Sequence, residues 1–295
     1  GPGVIRARTT VDATGDADLA AWAGAPFEYG NGRDAWTLWG SFANFNAEKR
    51  TASRQYESAI EVRDARDFAR TIITSRRRQG MWKTYAHEMP QHYVAPRETR
   101  RIIGDATVTY AGILAGETFP DVMAVCESNF DIKGIATSDL DCCGVISGWD
   151  VRMLYRAAVP WRAVLPQDVE DLIVAGRAYS ASHDALSLAR MQRDMLSLGA
   201  AAGVAAARAA RQEVHPRGLD VPALQEEWVR QGILRAADLR RYGKPMRPYR
   251  RQDAERDIRG FIAGRGRWQC RLARLTRSPA SLGPLRRVFA AEKSK

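Results

Sequence analysis

From 199 to 207 the chain reads Gly-Ala-Ala-Ala-Gly-Val-Ala-Ala-Ala, almost without side-chain bulk, inside a helical signal that runs over 184–211. Alanine favours helix, whereas each glycine costs roughly 1 kcal/mol in a helix interior. So little side-chain bulk over 199–207 lets a sheet, another helix or a ligand come very close. The segment before it, Asp171-Leu172-Ile173-Val174-Ala175-Gly176-Arg177, is an apolar run ending in glycine, which reads as a buried strand delivering a backbone turn. Ser180-Ala181-Ser182-His183 follows. A strand stopping at Gly176 and a helix starting near Asp184 would aim unpaired N–H groups at one point, an arrangement that suits an anion.

A second strand-turn-helix unit opens the chain. Residues 4–11 are rich in β-branched residues and predict a strand. It runs into the small, acidic stretch Asp12-Ala13-Thr14-Gly15-Asp16, with Asp16 expected as N-cap of a short helix and Gly24 as its stop. Gly1-Pro2 reads as the scar of a cleaved tag, so the chain is expected to start inside a strand. From Pro26 to about Asp150 the composition turns aromatic and mixed, and 54–79 is expected to form one long charged helix with Ile60, Phe68, Ile72 and Ile73 as its apolar stripe. Val164-Leu165-Pro166 should close a strand, and a helix should enter through Asp220. The expected organisation is 1–26 as strand-turn-helix, 27–150 as an inserted substrate or cap domain, 151–216 as a returning segment and 217–295 as a helical Arg-rich extension.

Charge is unevenly spread. The chain carries +11, but residues 235–295 hold 18 Lys/Arg against 5 Asp/Glu, leaving the first 234 slightly acidic. Scattered arginines with few aromatics suit a solvated or partner-covering surface and disfavour nucleic acid. With no apolar run of about 18 residues and no leader pattern, a soluble, cytoplasmic protein without membrane contact is expected. Cys126, Cys142, Cys143 and Cys270 show no metal spacing. Adjacent Cys142-Cys143 is either a small apolar pair in a core turn or a strained vicinal disulfide able to relay electrons.

Three segments together resemble the FAD-dependent oxidoreductases of the two-dinucleotide-binding flavoprotein type. They are Val11 to Asp18; Pro96-Arg97-Glu98-Thr99-Arg100-Arg101-Ile102-Ile103-Gly104; and the stretch from Tyr155 through Leu165-Pro166, Gly176-Arg177 and Ser182-His183 to Gly199–Gly203. The resemblance implies a mixed α/β class with a partial Rossmann-like FAD-binding fold. It implies FAD contacts at Ala13, Thr14, Gly15, Asp16, Gly176, Arg177, Ser182, Gly199 and Ala200, with a helix N-terminus near the flavin ring. His183 is then a candidate acid or base, and it is equally readable as a helix cap. Arg97, Arg100 and Arg101 are candidates to bind an anionic substrate or the cofactor bidentately, Arg97 as the inward one, or else form a solvated charge cluster or an internal salt bridge to Glu98 or Asp105. His92 and Tyr93 would line the substrate side. The family's G-x-G-x-x-G strand-turn-helix is not found before Thr14. The expectation is therefore a subunit or fragment that moves hydride between a small organic substrate and flavin, its FAD site completed by a second polypeptide. The alternative is a non-catalytic subunit that keeps the fold and docks an acidic partner through its basic tail.

Overall fold

A computed structural model describes the chain apart from residues 1–2, 32–34, 36, 47–50, 81–87, 91–94, 135–136, 139–141, 143–152 and 293–295; over 41–46, 51–58, 75–80, 88–90 and at 292 it describes the backbone alone. Tyr93, His92, Cys143 and Trp36 thus lie outside the described residues.

The elements run β1 (Thr10–Asp12), α1 (Asp18–Trp22), β2 (Phe27–Tyr29), β3 (Gly40–Asn46), β4 (Thr51–Ser58), α2 (Ala65–Gly80), β5 (Glu88–Pro90), β6 (Arg100–Ile102), α3 (Tyr110–Ala115), β7 (Val122–Ser128), β8 (Tyr155–Pro160) and β9 (Leu172–Val174). Helices follow: α4 (His183–Leu186), α5 (Gln192–Gln212), α6 (Val221–Arg230), α7 (Ala236–Tyr242), α8 (Arg251–Ile262), α9 (Trp268–Thr276) and α10 (Leu282–Glu292). The class is mixed α/β with small sheets. β1 pairs in parallel with β9, placing Asp12 beside Val174; β2 pairs antiparallel with β6, β3 with β4 and β5, and β7 with β8.

The main core forms where the β7–β8 ribbon meets α3 and α5. Ala201, Ala202, Ala205 and Ala209 turn the smooth side of α5 inward, and the indole of Trp228 on α6 donates to the Ala201 carbonyl at 3.1 Å. That close approach is what the alanines allow. Burying Trp228 and Leu198 each contributes about 2–3 kcal/mol. The opposite face, with Gly199, Ala200 and Gly203, stays open, and a Cβ placed on either glycine would meet nothing within 4 Å.

Several expectations are corrected. The strand expected over 4–11 is only Thr10–Asp12, and Val4 and Ile5 are 90% and 93% exposed. The 54–79 helix is instead the end of a β3–β4 hairpin followed by α2, because pairing with residues 40–46 outweighs the local charge pattern. The strand expected to close at Val164–Pro166 ends at Pro160, with a 3-10 turn over Trp161–Val164. The helix expected from 184 breaks after four residues: Ser187 Oγ donates to the Asp184 carbonyl at 2.6 Å and Tyr179 Oη to the Ala189 carbonyl at 3.0 Å, so α5 begins only at Gln192. The tail is helical as expected, and Asp220 does cap α6, accepting from Ala223 N at 3.2 Å. Among the described residues no helix is long and apolar enough to cross a membrane.

Candidate functional site

The first turn is organised by a buried carboxylate. Asp12, fully buried at the end of β1, accepts from Thr14 N (3.0 Å) and Thr14 Oγ1 (2.7 Å) with one oxygen, and from Ala20 N (2.9 Å) with the other. Thr14 Oγ1 in turn accepts from Asp18 N at 3.0 Å. Two amides of the first turn of α1 are therefore satisfied by Asp12 and Thr14. Asp16 is not the N-cap: that position is Ala17, in a left-handed conformation, with no side-chain cap. Asp16 is engaged elsewhere, accepting from Thr99 Oγ1 at 2.6 Å and pairing with Arg177 Nη2 at 2.5 Å.

The second turn meets the first here. Gly176 has φ +83° and open space where a side chain would stand, and it delivers Arg177 across the sheet onto Gly15. Gly15 also has positive φ, and a Cβ there would lie 2.5 Å from Arg177 Nη1, so the glycine makes room for the guanidinium. Arg177 Nε is buried without a hydrogen-bond partner. Arg100 reaches the same turn from β6, donating to the Asp16 carbonyl at 2.8 Å and pairing with Asp18. Ala13, Thr14, Gly15, Asp16, Gly176 and Arg177 thus share one neighbourhood. Gly199 and Ala200 lie on the open face of α5, and no bond joins them to that turn.

Beside Asp16 opens a pocket of about 520 Å³, walled by Phe27, Tyr29, Arg63, Phe68 and Arg100. The pocket therefore spans the first turn and the residue range expected to hold substrate.

A second cluster lies behind the 98–101 segment. His183 and Glu98 are buried, with Nδ1 of His183 2.7 Å from a Glu98 oxygen that also accepts from Leu38 N at 2.8 Å. Arg101, equally buried, brings Nε to 2.9 Å of the other Glu98 oxygen, a charge contact outside hydrogen-bond alignment, and its two Nη atoms donate to the carbonyls of Ala181 and Gly30. The inward arginine is Arg101; half-buried Arg97 donates to the Trp39 carbonyl at 2.5 Å. Ser182, the N-cap of α4, accepts from Ala185 N. A four-residue helix carries little macrodipole, so the expected half-unit positive end is not provided by α4. Asp184 instead ties down Thr137 and Ser138, accepting from their amides at 3.2 and 2.6 Å.

Sequence reasoning named Glu98 as an ion-pair partner of these arginines, which it is for Arg101, but missed its contacts with His183 and Leu38 N, and it missed the burial of Asp12, which no local pattern announces. It also missed Arg190, mostly buried against Asp131 at 3.2 Å; burial lowers its pKa, and nearby Arg97 adds to that.

A family model for FAD dependent oxidoreductases matches residues 1–92 and 55–228. No curated protein and no solved structure gives a significant match. A match across more than half the chain, over the segments that build both turns, shows that this protein belongs to the FAD-dependent oxidoreductase family.

Proposed function

We propose that this chain forms one wall of an FAD site and the substrate side of a hydride-transferring oxidoreductase, with the ADP-binding wall supplied by a G-x-G-x-x-G unit outside these residues. The observation that carries the reading is the meeting of the 12–18 and 176–177 turns, with a pocket opening beside them. The residues fit an anionic, extended group on two counts: Arg177 keeps a buried Nε without a partner, and the open position at Gly176 leaves space for close backbone approach. Thr14, Gly15, Asp16 and Arg177 would hold the cofactor, and the open face of α5 at Gly199 and Ala200 would border it. Bound FAD would supply the hydride acceptor or donor.

The chain's own contribution is positioning. The Glu98 carboxylate accepts from Nδ1 of His183 at 2.7 Å, which fixes the plane of the ring. Buried behind the 98–101 segment, His183 and Glu98 would hold that segment, and with it Arg100 and Thr99, in place beside the pocket. The hydrophobic packing around α4 keeps water from this pair. The test is co-production with a polypeptide carrying a G-x-G-x-x-G unit: the complex is expected to purify yellow with flavin near one per chain. An intact but colourless complex would overturn the reading.

A further inference from the structure

The pocket beside Asp16 has a wall built from three mutually bonded side chains. Arg63 donates from Nε and Nη2 to the two oxygens of Glu61, at 2.9 and 2.7 Å, in a fork-to-fork pair, while its guanidinium lies 3.9 Å above the Tyr29 ring. Tyr29 closes the triangle, donating to Glu61 at 3.0 Å. Arg63 lowers the Glu61 pKa to about 2, and burial followed by Glu61 raises that of Tyr29, so near neutrality Glu61 is a permanent counterion and Tyr29 a permanent donor. Across the pocket Arg100 is held by Asp16 and Asp18, with its guanidinium 5.8 Å from the centre of the Phe27 ring. Phe27, a strand residue, leaves 43% of its surface exposed.

Two guanidinium groups are thus oriented by carboxylates and aromatic rings, and among the described residues Nη1 of neither donates a hydrogen bond. Glu61 and Asp18 already serve these arginines. What remains to recognise a ligand is aromatic surface from Phe27, Tyr29 and Phe68 together with guanidinium N–H edges. A planar ring stacks on such walls, and an oxygen anion on its edge accepts from the arginines. A cavity of about 520 Å³ accommodates a ring of this kind.

We propose that this pocket selects a planar aromatic oxyanion, most simply an aromatic carboxylate, as the substrate class, with Arg63 as the specificity-determining residue. The proposal rests on the reading above that the Asp16 turn borders the cofactor. Its test needs no flavin. Calorimetric titration of the full chain with benzoate, cyclohexanecarboxylate and benzyl alcohol is expected to show benzoate binding at least tenfold more tightly than either, separating ring planarity from charge. Arg63→Ala should weaken benzoate at least tenfold and Arg63→Lys should restore only part of it, with circular dichroism unchanged because Arg63 is more than half exposed. Equal affinity for the three probes, or undiminished benzoate binding by Arg63→Ala, would overturn the proposal. So would displacement of benzoate by FAD in the assembled complex, which would assign the pocket to the cofactor. A colourless complex that still selects benzoate would sink the flavin reading while supporting this ligand class, so the two failures are distinguishable.

Discussion

Replacing Glu98 by glutamine keeps its shape and removes its charge at a fully enclosed ionic point of the molecule. The carboxylate receives Leu38 N and His183 Nδ1, and stands 2.9 Å from Arg101 Nε. Arg101 would be left with Glu28, 3.5 Å away and 52% exposed, so water screens most of that attraction. Breaking a buried pair from one side costs about 3–5 kcal/mol, because the surviving charge is left without compensation. At about 2–4 °C per kcal/mol for a sizeable domain, Glu98→Gln should lower Tm by roughly 10 °C. A chain of this length need not unfold in one step, so hydrogen exchange over 96–104 and 180–186 should accompany the thermal scan and show the loss there first. Glu98→Gln/Arg101→Met removes charge from both ends and should recover at least half of the loss. A single variant within about 1 kcal/mol of the parent, or a double variant no better than the single, would refute the view that this cluster is a desolvated, mutually dependent pair.

Gly15→Ala and Gly24→Ala both place a side chain at positive φ, +80° and +86°, at a cost of about 1–2 kcal/mol. Only the former displaces Arg177, so only Gly15→Ala should reduce the flavin absorbance of the assembled complex; equal losses would contradict the role given to that contact. Glu61 is depressed from 4.5 to about 2, so the stability it lends the Tyr29–Arg63 stack is fully present above about pH 4.5 and lost as pH falls towards 2. The near-ultraviolet circular dichroism of Tyr29, isolated by comparison with Tyr29→Phe, should therefore be flat from pH 8 to 5, and a transition in that range would be inconsistent with the pair. His215 has its pKa raised above 6.5 by a hydrogen bond to Asp171 at 2.9 Å, so its contribution is complete below pH 6.5 and fades as pH rises through the raised value. Asp171→Asn should return the His215 imidazole resonance to ordinary titration.

What the sequence disclosed follows the range of the forces involved. Asp220 capping α6 and the positive φ of Gly24 and Gly176 depend on neighbours within a turn or two, and these were legible. The helix 192–212 was legible because its alanines favour helix without help. The β3–β4 hairpin was not, since pairing between residues 40–46 and 51–58 overrides a charged, helix-like run. Nor was the role of Asp16. Three acids at 12, 16 and 18 offer equivalent caps on paper, and the choice is made by Thr99, Arg100 and Arg177, all distant in sequence.

The run Glu98-Thr99-Arg100-Arg101 explains why three neighbouring arginines could not be told apart by inspection. Its outer members, Glu98 and Arg101, turn inward to each other and to His183, whereas Thr99 and Arg100 turn to the Asp16 turn and the pocket. One short segment therefore fixes the imidazole on one side and the cofactor-side turn on the other. A change at Glu98 or Arg101 must shift the backbone that carries Thr99 and Arg100. Glu98→Gln is accordingly expected to weaken benzoate binding in the pocket as well as stability, although Glu98 lines no part of that pocket. Titration of Glu98→Gln at a temperature well below its Tm checks this, and parental benzoate affinity in a destabilised variant would show that the two sides of the segment move independently.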